Sequence, residues 1–432
     1  MTNISSWGKL SSEDHKVITL SDYAAVHSII QKSHPGLAYG MGRSYGDVCL
    51  NPGGTLWMTP KLDRFISFDP ETGILHCEAG VLLRDIQHMS IPHGWILPVT
   101  PGTQIATVGG AIANDVHGKN HHILGSFGDH ILSLTLLRTD GEIIICNGEQ
   151  NKDWLAATIG GIGLTGFILD ATLQLRACSG PWLDAETLPY NNLEEFFEIS
   201  DQSEQDWEQT VSWIDGIASG KGRGIFMRAN PVDAGFRKEP RNHRLTMPLT
   251  PPVSLVNKMS LKPFNMFYFH LQKWVSGRKI VHYEPFSYPL DNILEWNRMY
   301  GPDGFFQYQS VIPRENGKDA TYAMLDTIRK ANEGSFLAVL KTFGNRDSVG
   351  LMSFPMPGVT LAMDFPNKGS DTSKLFERLD AIVREAKGRL YLAKDARMPR
   401  DLFEAGYPKL EEFLKYKDPG ISSALSRRLI GC

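Results

Sequence analysis

Three glycine-rich stretches hold much of the potential chemistry in the first part of the chain. The first reads Gly40-Met41-Gly42-Arg43-Ser44-Tyr45-Gly46-Asp47. The second runs from Thr107-Val108-Gly109-Gly110-Ala111 to His117-Gly118-Lys119-Asn120-His121-His122, and the third is Gly160-Gly161-Ile162-Gly163-Leu164-Thr165-Gly166. Glycine lets a backbone approach a ligand closely and turn with positive φ. Successive amides in such a turn form an anion nest, to which Arg43 and Ser44 add donors. Pro101-Gly102-Thr103 and Val108–Ala111 read as a second wall of the same cleft. The chemistry this implies is binding of a large cofactor with a phosphate bridge.

Context narrows the cofactor. Gly161-x-Gly163-x-x-Gly166 matches the dinucleotide fingerprint in form, but that motif must close a strand and open a helix. Here it is followed by Phe167–Leu175, whose alternation predicts a strand. Gly118-Lys119 and Gly220-Lys221 lack the upstream glycine of a Walker loop. His117 and His121 are four apart, but no cysteine or carboxylate pair stands near them, so a polar loop is expected there and no metal.

The elements that must position these residues fall into two textures. From residue 17 to 180, short strands such as Leu56–Met58, Ile74–Glu78 and Ile143–Cys146 alternate with short helices, one capped by Ser21 or Asp22 with Val26, Ile29 and Ile30 inward. Beyond Gly180, the strands Gln209–Asp215, Gly304–Ile312, Ser335–Lys341 and Val359–Phe365 alternate with helices Asn192–Ser200, Ala320–Asn332 and Ser373–Lys387. The pattern predicts an α+β protein, its second part built on an antiparallel sheet. A length of 432 residues suits two domains.

Composition is that of an ordinary globular chain, 42% hydrophobic and 21% charged. A net charge of −4 gives no reason to expect nucleic acid as a partner. Five scattered cysteines and a polar N-terminus without the apolar core of a signal peptide lead to an expected cytoplasmic location. One region departs from the average. From Ser219 to His282 there are twelve Lys or Arg and two acids, interleaved with Met247–Val253 and Phe264–Phe269. A flexible flap over 220–275 that meets an anionic, greasy partner is the expectation.

In order and content these strings resemble one family. Gly-x-Gly-Arg-Ser-Tyr-Gly-Asp, Pro-Gly-Thr…Val-Gly-Gly-Ala-Ile-Ala, Asp-x-His-Gly-Lys-Asn-His-His…Gly-Ser-Phe-Gly and Gly-Leu-Thr-Gly are similar to the vanillyl-alcohol-oxidase class of FAD enzymes with the PCMH-type FAD-binding fold. The resemblance continues through Gln307-Tyr308-Gln309, Ser353-Phe354-Pro355, Asp364-Phe365-Pro366 and Gly388–Asp395, and is weak over 220–275. It implies an FAD domain over 1–180, completed by 389–432, with an α+β substrate domain over 181–388 inserted between.

The resemblance also implies roles. Gly40, Met41, Gly42, Arg43, Ser44, Tyr45, Gly46, Asp47, Gly102, Thr107, Val108, Gly109, Gly110, Asn114, Asp115, Val116, His117, Ile168 and Tyr391 would hold FAD. Many relatives bond the flavin to a histidine at the position of Arg43, so dissociable FAD is expected. Lys394, His117 and Tyr308 would be catalytic, and Gln307, Gln309, Lys341, Thr360 and Ala362 would contact substrate. Ala362 and Thr360 stand where the best-known relative has cysteine and asparagine, which leaves cysteine-directed inhibitors nothing to bond. The implied reaction is oxidation of a secondary alcohol, of the ribose 2′-hydroxyl type, on a polyprenyl-phosphate-linked pentose. A short-chain reductase acting on the keto product would complete an epimerisation toward cell-wall arabinose. The implied setting is peripheral contact with the inner membrane surface. The alternatives are a soluble sugar or alditol oxidase using oxygen and a non-catalytic flavoprotein.

Overall fold

The computed structural model describes residues 1–217, 222–235, 237–238 and 245–432. The first helix, Tyr23–Ser33, opens where the Asp22 carboxylate accepts from the Ala24 amide and buries Val26, Ile30 and Ser33. It lies beside a four-stranded sheet in the order Thr2–Ser5, Ser12–Thr19, Thr55–Met58, Gly36–Tyr39. A five-stranded antiparallel sheet follows in the order Phe65–Asp69, Ile74–Glu78, Phe167–Gln174, Ile131–Leu137, Ile143–Asn147. The third glycine stretch therefore feeds a strand, as its alternation predicts.

The largest sheet has eight strands, and every adjacent pair is antiparallel. Its order is Gly277–His282, Trp182–Tyr190, Gly224–Pro231, Gln209–Ile214, Ala338–Phe343, Gly358–Pro366, Phe305–Pro313, Arg389–Leu390. One face packs on the helices Leu193–Ser203, Arg314–Lys330 and Ser370–Glu385 through Phe226, Leu340, Leu361, Met363, Met324 and Leu379. Side chains alternate along a strand, so the residues between these face the opposite way, toward a cleft. The whole is α+β.

The last strand hands the chain back to the first part of the molecule. Ser310 pairs with Leu390 and Val311 with Arg389. The helices beyond pack on the N-terminal region: Ile421 bridges Gly36, and the Ala424 amide donates to the Leu50 carbonyl at 2.7 Å. Asp418, fully buried, accepts from the Thr139 amide at 2.8 Å.

The stretch 220–275 differs from a simple flap. Gly224–Pro231 is an inner strand of the large sheet, and Lys258–Trp274 is a helix capped by Asn257. Alternation in this strand is masked in the sequence by Arg228 and Asn230, which are satisfied by Glu186 and by the Glu208 amide. Residues 220–221, 236 and 239–244 of that stretch lie outside the described residues.

Candidate active site

A cleft of about 1120 Å³ runs between the glycine loops and the open face of the large sheet. Its floor is set by register. Gln309 stands beside Ala362 and Ala362 beside Val339; Val311 stands beside Thr360 and Thr360 beside Lys341; Gln307 stands beside Asp364. Gln307, Gln309, Thr360, Ala362 and Lys341 all line the cleft, as expected of them.

Tyr308 does not. One residue out of phase with Gln307 and Gln309, it points to the helical side, where its hydroxyl donates to Asp380 at 3.0 Å. It is buried in the main core against Phe376. The expectation of a catalytic Tyr308 is corrected by strand alternation alone. Tyr308→Phe is expected to leave flavin reduction within about twofold of the parent and to cost about 1 kcal/mol of stability through the lost bond. Stopped-flow reduction and a thermal melt measure the two.

His117 reaches the cleft from the loop after the helix Val108–Ala113. Its Nδ1 is 2.8 Å from Lys341 Nζ and its Nε2 is 3.2 Å from the Gln309 amide nitrogen. Lys341 also donates to the Gly118 carbonyl at 2.6 Å. The Gln309 amide nitrogen is a donor, so His117 accepts at Nε2, while at Nδ1 it meets the Lys341 amine, whose pKa burial holds well below the usual lysine range. Burial, then the Lys341 charge, holds this imidazole well below the usual histidine range, and it stays neutral. Phe343, Phe354 and Tyr391 surround the ring.

Lys394 enters from the segment after the last strand. Its Nζ lies 3.6 Å from the centre of the Tyr45 ring. Burial pulls its pKa from the usual lysine range to about 7, opposed by the carboxylate of Asp364. Asp364 is fully buried, and burial pushes its carboxyl up. Its Oδ1 accepts from Gln307 at 2.6 Å, and the Tyr300 hydroxyl also hydrogen-bonds to this carboxyl group. Asp395, next to Lys394, does not pair with it; it accepts instead from Arg428 and from the amides of Arg397 and Met398. Asp364 was missed from the sequence as a site residue. The cue was present in Asp364-Phe365-Pro366: an acid in an otherwise apolar strand.

A third lysine, Lys119, donates to the Ser287 carbonyl at 2.8 Å, and burial lowers its pKa to about 8. Lys119, Lys341 and Lys394, each with its pKa lowered by burial, stand in the cleft with Arg43, while its far wall carries Leu255, Phe264, Tyr268, Ile293 and Met299.

The glycine loops form the other wall. Gly40, Met41, Gly42, Arg43, Ser44, Tyr45, Gly102, Thr107, Gly109, Gly110, Asn114, Val116, Ile168 and Tyr391 line the cleft. Gly46, Asp47, Val108 and Asp115 do not. Asp47 is held by Arg428 through two bonds of 3.0 Å. Val108 is fully buried in the core beneath the five-stranded sheet. Asp115 accepts from Ser126, Gly128 and Ser353, which ties the loop to the connection between the strands Ala338–Phe343 and Gly358–Pro366. Gly46 is pressed against the Asp395 carbonyl.

This wall fits a flavin dinucleotide. The amides of Met41, Gly42, Arg43 and Ser44 have no acceptor within the chain among the described residues, and Gly42 has φ +61°. Arg43 Nε and Asn114 Oδ1 are buried without a partner among the described residues. A Cβ at Gly102 would meet no protein atom within 4 Å, so the space before it is cleft. This is a row of donors for phosphates, with unpaired polar atoms beside it. The groups expected at a metal site are absent among the described residues.

A fold with such a donor row facing an antiparallel sheet defines an FAD-dependent oxidoreductase. Residues 17–147 match the FAD binding domain family, and FAD is the cofactor of this enzyme. The chain is 35% identical to decaprenylphosphoryl-β-D-ribose oxidase of Mycolicibacterium smegmatis, over 98% of this chain and 96% of that one. It is 28% identical, over 81% of its length and all of the relative's, to an uncharacterized protein of the mprA 5′ region of Streptomyces coelicolor. L-gulonolactone oxidase of Mus musculus matches at 33% identity over 31% of this chain and 30% of its own. The chain belongs to the decaprenylphosphoryl-β-D-ribose oxidase family.

Arg43 occupies the cleft wall and cannot form a carbon–nitrogen link to the flavin ring as histidine can. Acid precipitation is expected to leave all of the flavin in the supernatant, read by its visible absorbance. Yellow colour retained in the washed pellet would contradict this.

Proposed function

We propose that this enzyme oxidises a secondary alcohol, of the ribose 2′-hydroxyl type, on a polyprenyl-phosphate-linked pentose to the keto sugar. One observation carries the reading: a single cleft holds a desolvated lysine, two further buried lysines and a long apolar wall beside the FAD loops. A sugar, a phosphate and a lipid each meet matching chemistry. FAD, when bound, supplies the acceptor for the hydride leaving the carbinol carbon. Lys394 takes the hydroxyl proton in its neutral form, which burial makes accessible near pH 7. Tyr45 holds the ammonium that results over its ring, and Asp364 balances its charge. Neutral His117 accepts from the Gln309 amide at Nε2, and Lys341 holds the ring at Nδ1. Gln307, Gln309 and Thr360 present amide and hydroxyl groups to the sugar face.

A 2′-keto sugar is the substrate of a carbonyl reduction, so a short-chain reductase is the enzyme expected next. A cytoplasmic setting at the inner membrane surface suits a lipid-linked substrate. The test is anaerobic bleaching of the flavin by lipid-linked ribose and by free ribose across pH. The bleaching rate is expected to fall about tenfold per pH unit below about 7 and to level off above it, because the lysine must be neutral to accept the proton. Faster bleaching by the free sugar would make this a soluble sugar oxidase, and no bleaching by either would remove the enzymatic reading.

A further inference from the structure

The helix Lys258–Trp274 has two apolar faces. Leu261, Asn265 and Phe269 are buried beneath it, and Phe264, Tyr268 and Gln272 line the cleft. The opposite face is also greasy. Met259 is 88% exposed, Phe267 65% and Trp274 83%, with Met266 and Leu271 beside them. The strap before the helix adds Leu245, Leu249 and Val253, all exposed. A soluble surface helix keeps charged and polar residues outward, and a contiguous exposed apolar patch marks a binding surface.

Charge says what that surface binds. Between Leu245 and Tyr283 there is no Asp or Glu, while Lys258, Lys262 and Lys273 stand exposed around the apolar face. The chain as a whole is acidic. Bulky apolar residues ringed by lysines suit the headgroup zone of an anionic bilayer, where the rings enter the acyl boundary and the ammonium groups meet lipid phosphates. No helix among the described residues is long and apolar enough to cross a membrane.

We propose that the helix Lys258–Trp274 and the strap Leu245–Leu255 dock this enzyme on an anionic lipid surface, with Met259, Phe267 and Trp274 inserted. The inference extends the reading of a lipid-linked substrate. The same helix and strap carry Leu255, Phe264 and Tyr268 into the cleft wall, so a lipid chain passes from bilayer to cleft along a continuous apolar surface.

Flotation of the FAD-loaded full chain with vesicles of phosphatidylcholine, with and without phosphatidylglycerol, tests this. Binding is expected with phosphatidylglycerol and is weakened by salt. The triple variant Met259→Ser, Phe267→Ser, Trp274→Ser is expected to lose partitioning by on the order of tenfold or more. Lys258→Glu, Lys262→Glu, Lys273→Glu is expected to abolish the preference for the anionic vesicles. These six side chains lie outside the cleft, so both variants should bleach at the parent rate with a water-soluble, short-chain substrate analogue. Unchanged flotation of the serine variant overturns the proposal, as does failure of the parent to float. A dimer of the parent that the serine variant dissolves, without flotation, would assign the surface to a second copy of the chain instead. Flotation without bleaching by any lipid-linked sugar would leave the docking surface standing and remove the substrate reading. Bleaching in detergent without flotation would do the reverse.

Discussion

Lys394→Met is expected to slow reduction of the flavin by substrate by about 10³-fold while FAD stays bound. Methionine keeps most of the side-chain volume over Tyr45, so packing survives and the proton acceptor is removed. The effect should fall on the rate of bleaching at saturating substrate rather than on the concentration dependence, because the amine acts as the hydroxyl proton leaves. Lys394→Arg separates two roles. Arginine retains the cation but cannot give up its proton at any working pH. If arginine bleaches at the parent rate, Lys394 supplies charge and position only, and the proton goes elsewhere. If arginine fails with methionine, the base is Lys394. The pH profile should agree: loss of the step near pH 7 in both variants is the outcome that supports the lowered lysine.

Gly46→Ala is expected to cost about 3 kcal/mol of stability and to impair flavin reduction as well. A Cβ at this position would lie 1.6 Å from the Asp395 carbonyl oxygen and 2.9 Å from the Ala396 nitrogen. Both are backbone atoms and cannot rotate away. With φ −101° the backbone there lies outside the left-handed region, and the penalty is one of space. Relief would part the first glycine loop from the segment that carries Lys394. That junction includes the Tyr45 amide bond to the Ala393 carbonyl at 3.0 Å and the Arg428 clamp on Asp47 and Asp395. Tyr45 is also the ring beneath Lys394, so a shift of the loop displaces the base. Gly148→Ala, where an added Cβ meets nothing within 4 Å, is the control and should melt with the parent. A Gly46→Ala protein that melts and bleaches normally would show that the loop and the Lys394 segment move independently.

The cofactor loops were legible because their chemistry is local. Consecutive glycines with Arg43 and Ser44 announce an anion nest from the chain itself, and the strand after Gly166 excludes a Rossmann turn within a few residues. The strands at 305–313 and 358–366 were legible from alternation, and so were the helices that cover them. Which residues of a legible strand face the cleft was harder. Gln307-Tyr308-Gln309 reads as one motif, yet neighbours on a strand point to opposite sides, and the direction of the cleft is set by where the three helices pack. Within the glycine loop, Gly46 and Asp47 look like part of the cradle and instead join it to the C-terminal segment. Asp364 drew no notice as a site residue because a lone carboxylate in a strand has no partner in sequence; its partners come from residues 307 and 394.

By itself, the sequence determined the α+β class, the order of most strands along the chain, the FAD-binding character of the loops and the family to which they belong. These follow from short-range rules: side-chain period, turn chemistry and motif order. Only the tertiary structure decided that Lys394 sits over Tyr45, that His117 is held between Lys341 and Gln309, and that Tyr308 belongs to the core. It also decided that the basic segment after residue 245 presents a greasy face outward. The physical reason is common to all of these. A lowered lysine, a neutral histidine and an uncovered apolar face depend on what lies across space, and the burial that produces them comes from elements hundreds of residues apart.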